Sequence, residues 1–348
     1  MDDIAVSVRS ANQHDQARWD EFIETNASVP PLNCFAWRTI LEEIYGVETN
    51  FLVAEASGGD VVGVLPVYFN RTRRGRKCLF SLRFGLVSKN DRATGALIDE
   101  VGRVCEASGV SSDLISSGYD QKPSNLPSVS RSTFVLNISD DVEHEWRALS
   151  AKTRNTVRKA EKSGVSVHQG REHLSEFYDI YANALARKGF AIHAPAFFHS
   201  MARNLGDRFD LLVARREGEI VGGTIIVKGP GVAMYPFQAA KPETVSLAVI
   251  PLMVWKLITY CAERGIFHID MGESSPGSGT FRFKKNFGGA PTPLYYYSSL
   301  NDLSVKRKDG APAKAGKFRL AENLFLEIAP PFALRNWALW KTKMGRII

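Results

Sequence analysis

The sequence predicts an α/β (α+β) protein of two tandem units, each a mixed central sheet flanked by helices, followed by a basic helical tail. Three observations carry this. A strand–turn–strand pattern occurs twice, about 160 residues apart. A helical pattern precedes each copy. A further strand, a helix and another strand follow the second.

The elements are justified in chain order. In residues 35–45, Trp37, Ile40, Leu41 and Ile44 fall at i, i+3, i+4 and i+7, one face of a helix, and Gly46 is a stop. Residues 51–69 hold two β-rich runs around Ser57-Gly58-Gly59-Asp60, a hairpin signal. Residues 211–228, LLVARREGEIVGGTIIVK, repeat it. Placing Leu52-Val53-Ala54 on Leu212-Val213-Ala214 puts Val62-Gly63 on Val221-Gly222 with one gap, and a helical pattern over 197–205 precedes this copy. One duplicated unit explains this better than chance, although hairpins of such composition are common. Gly229-Pro230-Gly231 then turns the chain into a strand over 232–238. A helix follows, with Pro251 in its first turn, a stripe of Leu252, Trp255 and Ile258, and Gly265 at its end. Residues 267–271 read as another strand. Residues 120–132, with two prolines and four serines, read as a loop or linker. The expected divisions are 1–140, 141–300 and a tail over 301–348.

Composition narrows the class. The chain has 348 residues, 44% of them apolar and 23% charged, which suits two globular units. The strongest apolar run, 249–255, is far short of the ~20 residues that span a bilayer. The start, MDDIAVSVRS, lacks the apolar stretch of a secretory signal. The four cysteines form no C-x-x-C pair, the histidines show no metal-ligand spacing, and no metal is expected. Walker, Rossmann and Gly-x-Ser-x-Gly motifs are absent. A cytoplasmic protein is expected. The net charge of +7 is lopsided: residues 301–348 hold ten Lys/Arg against four Asp/Glu. The body is nearly neutral, so an anionic partner must be argued from a local cluster or from the tail.

Three segments could carry chemistry. On a helix expected from near Trp146, Arg154, Arg158 and Lys162 recur every four residues, with Lys152 and Lys159 beside them. Such a row suits phosphates of a nucleotide-linked substrate, a cofactor or tRNA; a solvated helix face would look the same. Residues 270–289, DMGESSPGSGTFRFKKNFGG, leave a strand end with Gly272, Gly277 and Gly279 before Lys284. Backbone N–H groups there can approach an anion, and a lysine can stabilise negative charge developing on oxygen during acyl transfer. The plain alternative is a glycine-rich surface loop and a basic strand. Tyr235 and Gln238, on the strand after the second hairpin, could orient an amine or be ordinary core. The run RTRRGRK over 71–77 is an ordinary solvated turn.

Together these residues resemble the FemAB-like branch of the GNAT superfamily, which transfers an amino acid from aminoacyl-tRNA, or an acyl group, to an amine on a cell-envelope precursor. Cys34-Phe35-Ala36-Trp37 to Tyr45-Gly46 with Gly63-Val64-Leu65-Pro66 match the family's tryptophan helix and G-x-L-P strand. Arg154-Asn155-Thr156-Val157-Arg158-Lys159-Ala160 looks like R-N-x-[IV]-R-K-A, Asp270-Met271-Gly272 like D-F-G, and Phe283-Lys284 with Phe287-Gly288 like F-K-x-x-F-G, where the family's active-site lysine lies. The likeness runs in order over about residues 15 to 300.

The resemblance implies two GNAT-like domains with the active site in the second. Lys284 and Asp270 would be catalytic, and Arg154, Arg158, Lys159, Arg187, Tyr235, Gln238 and Phe283 would bind substrate. It implies no tightly bound cofactor, a donor that is aminoacyl-tRNA or an acyl thioester (acyl-CoA or acyl-carrier protein), and an acceptor amine on an envelope or exopolysaccharide precursor. One departure is plain. Where ordinary GNAT enzymes hold the CoA pyrophosphate on Q/R-x-x-G-x-G/A, this chain reads AAKPETVSLAVIP over 239–251, with no glycine, which counts against plain acetyl-CoA use. Two other readings remain: a non-catalytic tandem scaffold that binds an envelope precursor or partner, and an N-acyltransferase dependent on acyl-carrier protein or CoA. In the tail, Phe318, Leu320, Leu324, Phe325 and Ile328 precede Pro330-Pro331. Trp337, Leu339 and Trp340 then interleave with Arg335, Lys341, Lys343 and Arg346. That suits a peripheral contact with a membrane surface or tRNA, or an apolar stripe packed on the body.

Overall fold

A computed structural model describes residues 5–26, 28–71, 75–112, 115–118 and 128–297. The tail, most of the expected 120–132 loop and the centre of the 71–77 basic run lie outside the described residues, with the expectations placed on them. The first unit runs β1 (Val6–Ser10), α1 (Gln16–Asn26), α2 (Ala36–Tyr45), β2 (Thr49–Ala56), β3 (Val61–Arg71), β4 (Lys77–Ser81), β5 (Val87–Ser88), α3 (Asp91–Ser108) and β6 (Ser111–Ser112). Its sheet is ordered β1-β2-β3-β4-β6, with β5 also on β3. β1 to β4 are antiparallel, and α3 crosses over so that β6 lies parallel to β4.

The second unit contains β7 (Ile115–Ser116), β8 (Ser128–Asn137), α4 (Val142–Ala148), α5 (Ala151–Lys162), β9 (Ser166–Gln169), α6 (Leu174–Ala186), α7 (Pro195–Leu205), β10 (Phe209–Arg216), β11 (Glu219–Gly229), β12 (Val232–Ala240), α8 (Val249–Ala262), β13 (His268–Glu273), α9 (Gly279–Asn286) and β14 (Ala290–Tyr297). Its sheet is ordered β7-β14-β8-β13-β12-β11-β10-β9. β9 to β12 are antiparallel, α8 crosses over, and β13 returns parallel to β12. This repeats the first unit's plan, with two helices between the first and second strands of each meander. Even the irregularities correspond. The β2–β3 hairpin is bulged between Ala54 and Glu55, and the β10–β11 hairpin between Ala214 and Arg215. Gly63 and Gly222 follow those bulges for the same reason. A Cβ would come within 2.9 Å of Leu97 Cδ1 in one and of the Ala239 carbonyl oxygen in the other.

Three expectations need correction. Strand β8 begins at Ser128, inside the stretch 120–132 expected as a loop, because residues 128–137 form a ladder with both β13 and β14. The helix expected from Trp146 is two helices. Leu149 is extended, and the Ser150 side chain accepts the Thr153 N–H to start α5 afresh. The segment around Lys284, whose plain alternative was a strand, is helix α9, capped by Ser278 accepting from Phe281 N–H.

The two units share a core. One buried cluster takes Trp19, Phe35, Trp37 and Phe51 from the first and Phe177, Phe197 and Phe198 from the second. α2 and α7 face each other, with Trp37 and Phe197 ring centroids 6.3 Å apart. Among the described residues, no helix is long and apolar enough to cross a membrane.

Candidate active site

β12 and β13 pair only from Val232–His268 to Met234–Asp270. Beyond that point β12 bulges opposite Ile225 to Val227 and runs on to Ala240 beside β11 alone. The parallel strands therefore part at their C-terminal ends, where open α/β sheets take ligands, and a bulge there re-aims side chains. Tyr235 and Pro236 lie in the bulge, next to Met234.

Asp270 is 1% exposed. It accepts from Thr133 Oγ1 at 2.9 and 3.0 Å and from the Gly272 N–H at 2.7 Å. Gly272 has φ 79°, so the chain turns sharply one residue after Met271. That turn presents the carbonyls of Gly272 and Glu273 to Lys284 Nζ, which donates to them at 2.9 and 3.0 Å. Lys284, on α9, is 6% exposed and lies 5.6 Å from the Phe134 ring centroid. Burial lowers its pKa from 10.5 to about 8; the Asp270 charge opposes the shift, Arg83 adds to it and Glu273 opposes it. Burial, with the Asp270 charge, also raises the Tyr235 hydroxyl well above its usual range. Lys284 and Tyr235 thus each feel the Asp270 charge where the strands part.

The remaining expected residues divide. Phe283, on α9, lies with its ring tilted against that of Phe287, centroids 5.1 Å apart, and packs on the second unit's core. Gln238 Nε2 donates to Thr224 Oγ1 at 2.8 Å. Arg154 caps α4 by donating to the carbonyls of Arg147 and Leu149. Arg158 lies over the Trp146 ring at 5.3 Å, and Lys159 is exposed beside it. α5 reaches the lysine helix through Thr153 Oγ1, which donates to the Asn286 carbonyl at 3.3 Å. Arg187 stands elsewhere. It lines an open cavity of about 950 Å³ with His173, Asp179, Arg215, Lys241 and Glu243, and neither Lys284 nor Asp270 lines it. Volume alone would favour that cavity. The buried charges favour the strand ends, and buried perturbed groups mark chemistry better than a shallow space of mixed charge.

Sequence reasoning missed Arg83, Thr133 and Glu273. Arg83 Nη1 donates to Glu273 Oε1 at 3.0 Å, and its Nη2 donates to Thr133 Oγ1 at 3.1 Å and lies 3.8 Å from Asp270 Oδ1. Arg83 belongs to the first unit, 187 positions before Asp270. No local spacing signals such a partner. Among the described residues no cluster of three or more His, Cys, Asp or Glu could hold a metal.

Residues 147–285, which contain Lys284 and Asp270, match the family described as Acetyltransferase (GNAT) domain. No curated protein matches the chain. The crystal structure of FemX is similar at 16% identity, covering 85% of this chain and 98% of that one, with a TM-score of 0.66. A tandem GNAT protein from the clavulanic acid biosynthesis pathway is similar at 13% identity, covering 86% and 100%, with a TM-score of 0.51. The C-terminal domain of an assigned lysylphosphatidylglycerol synthetase from Agrobacterium fabrum is similar at 12% identity, covering 83% and 93%, with a TM-score of 0.52. At these identities the likeness is one of fold. Residues 147–285 therefore match the GNAT acetyltransferase domain family, in a chain whose fold is similar to that of FemX.

Proposed function

We propose that the protein transfers an aminoacyl or acyl group to an amine on a cell-envelope or exopolysaccharide precursor, with Lys284 at the reacting centre. The observation that carries this is a buried ammonium whose pKa is lowered to about 8, held on two carbonyls beside a buried carboxylate where the strands part. In such a transfer the acceptor nitrogen attacks the donor carbonyl carbon and its oxygen becomes negative. The C–O or C–S bond to the carrier then breaks, and the nitrogen gives up a proton. A fixed cation near that oxygen lowers the barrier, and losing such a group typically costs ~10²-fold or more. Asp270 holds the turn that holds the lysine. Tyr235 and Gln238 would orient the acceptor beside Phe283, while Arg154, Arg158 and Lys159 would meet phosphate on donor or acceptor. Arg187, in its separate cavity, would hold a more distant part of a long substrate. FemX and the lysylphosphatidylglycerol synthetase domain support an envelope acceptor and an aminoacyl-tRNA donor.

The stretch from Ala239 to Pro251 supports a donor other than plain acetyl-CoA. It forms a 3-10 turn over Pro242–Leu247 and places Ala248 at φ 58°, where a glycine would sit more easily. The test offers charged tRNA, acyl-CoA and acyl-carrier protein in parallel to wild type and Lys284→Met, with folding followed by circular dichroism. Turnover of one donor that drops at least ~10²-fold in the variant is expected. Near wild-type turnover by the variant removes Lys284 from the chemistry.

A further inference from the structure

The first unit repeats the plan of the catalytic one, and the GNAT family match begins only at residue 147. The first unit reaches the site through Arg83. Arg83 follows β4 in a turn that the surrounding structure holds from several sides. The Leu82 N–H donates to the Pro66 carbonyl at 3.2 Å and the Gly85 N–H to the Leu82 carbonyl at 3.1 Å. The Phe84 N–H donates to Ser116 Oγ at 3.1 Å, and buried Asn33 Nδ2 donates to the Phe84 carbonyl at 2.8 Å. Phe84 itself is fully buried and sits at φ 55°. A bulky residue rarely takes that conformation, and it persists only where its surroundings over-determine it. The outlier aims the preceding side chain out of its own unit and into the other.

Arg83 is 17% exposed, and its guanidinium bridges three groups of the second unit. It donates to Glu273 and Thr133 and lies against Asp270. Thr133 in turn donates to Asp270, and Asp270 accepts the Gly272 N–H. Glu273 also accepts from the Tyr296 hydroxyl at 2.9 Å and lies 3.9 Å from Arg131. The two residues whose carbonyls hold Lys284, Gly272 and Glu273, are thus the ones this network pins, one through its N–H and the other through its carboxylate.

We propose that Arg83 is a positioning residue for transfer in the second unit: it clamps Asp270 and Glu273 across the interface and so fixes the turn that holds Lys284. This rests on the transfer reading given above. The first unit then acts on the reaction by completing the second unit's site. Arginine suits the task because its planar fork reaches several acceptors at once, which a lysine ammonium on the same turn would not.

The charged groups that act on Lys284 are Asp270 and Glu273 on β13 and Arg83 from the first unit; Arg131 on β8 and Tyr296 on β14 meet Glu273, Tyr235 on β12 feels the Asp270 charge, and Lys285 adjoins Lys284 on α9. Arg83 is the cation among them that lowers the Lys284 pKa, so removing it moves that pKa upward. The experiment needs no substrate. The full chain is acetylated with trace acetic anhydride over a pH series, and the Lys284 peptide is quantified by mass spectrometry in wild type and Arg83→Met. The melting temperature of each is recorded. Wild type should show half-maximal reactivity near pH 8. The variant should show a higher midpoint and a faster plateau, because the amine leaves its carbonyls. If Arg83→Met does not fold, Arg83→Gln, which removes the charge and keeps hydrogen-bonding capacity, is read the same way. An unmoved midpoint in a folded variant overturns the proposal. Failure of the transfer reading shows separately, as unchanged turnover in Lys284→Met, because the labelling is indifferent to what the protein acts on.

Discussion

Lys284 occupies a position that stability alone would not choose. Its folded pKa, about 8, lies below the 10.5 of a free lysine, so the folded state binds that proton more weakly than the unfolded chain does. The penalty is fully present below pH 8 and is relieved as pH rises toward 10.5. Its size is about 3 kcal/mol from the shift, set against the hydrogen bonds to the two carbonyls, which are worth a similar amount. Lys284→Met should therefore melt within a few degrees of wild type at neutral pH while turnover collapses. A large fall in melting temperature would make the lysine a structural group. The same pKa sets the pH profile. The cation is present below pH 8 and lost above it, so turnover should decline through about pH 8 on the alkaline side.

At the scale of elements, α9 and α5 divide the basic residues by task. α9 buries one cation, Lys284, and leaves Lys285 exposed. α5 buries Thr153, Val157 and Ala160 and leaves Lys152, Arg158 and Lys159 exposed. Arg154 is already engaged in closing α4, so it is the least available member of the cationic row. Reversing Arg158 to Glu should raise the apparent substrate constant and flatten its dependence on salt, since each phosphate contact contributes to that slope. An unchanged slope would leave α5 as a solvated face. The row was legible in the sequence because a helical repeat fixes which residues share a face. The division of labour within it was not, because Arg154 is claimed by carbonyls that exist only after α4 has ended.

At the scale of the molecule, the interface between units is aromatic and contains a titratable group. His193 is half-buried, its ring 4.2 Å from the Phe197 ring and 5.4 Å from that of Phe237, and its Nδ1 is hydrogen-bonded to the Tyr45 hydroxyl of the first unit at 2.5 Å. Burial lowers its pKa from 6.5 to about 3. Above pH 6.5 neither state holds the proton. Between pH 6.5 and about 3 the unfolded chain takes it and the folded one does not, so stability falls by about 1.4 kcal/mol per pH unit. The melting temperature should drop between pH 7 and 5, and His193→Gln should flatten that drop whatever it does to the value at pH 7. Equal slopes in both proteins would show that other groups govern acid sensitivity.

The sequence by itself determined the duplicated hairpin and the helices that flank it, because hydrophobic period, turn residues and capping act over a few positions. It showed Lys284 and Asp270 as candidates because both stand in motifs of one continuous stretch, although the helix that carries Lys284 appeared only in the structure. Only the tertiary structure decided that Ser128–Asn137 is a central strand, since its ladder partners lie more than 130 positions later. It also decided that Arg187 lies in a separate cavity and that Arg83 reaches the site from the other unit. Such contacts are made between surfaces that come together only on folding, and no local pattern of residue types records them.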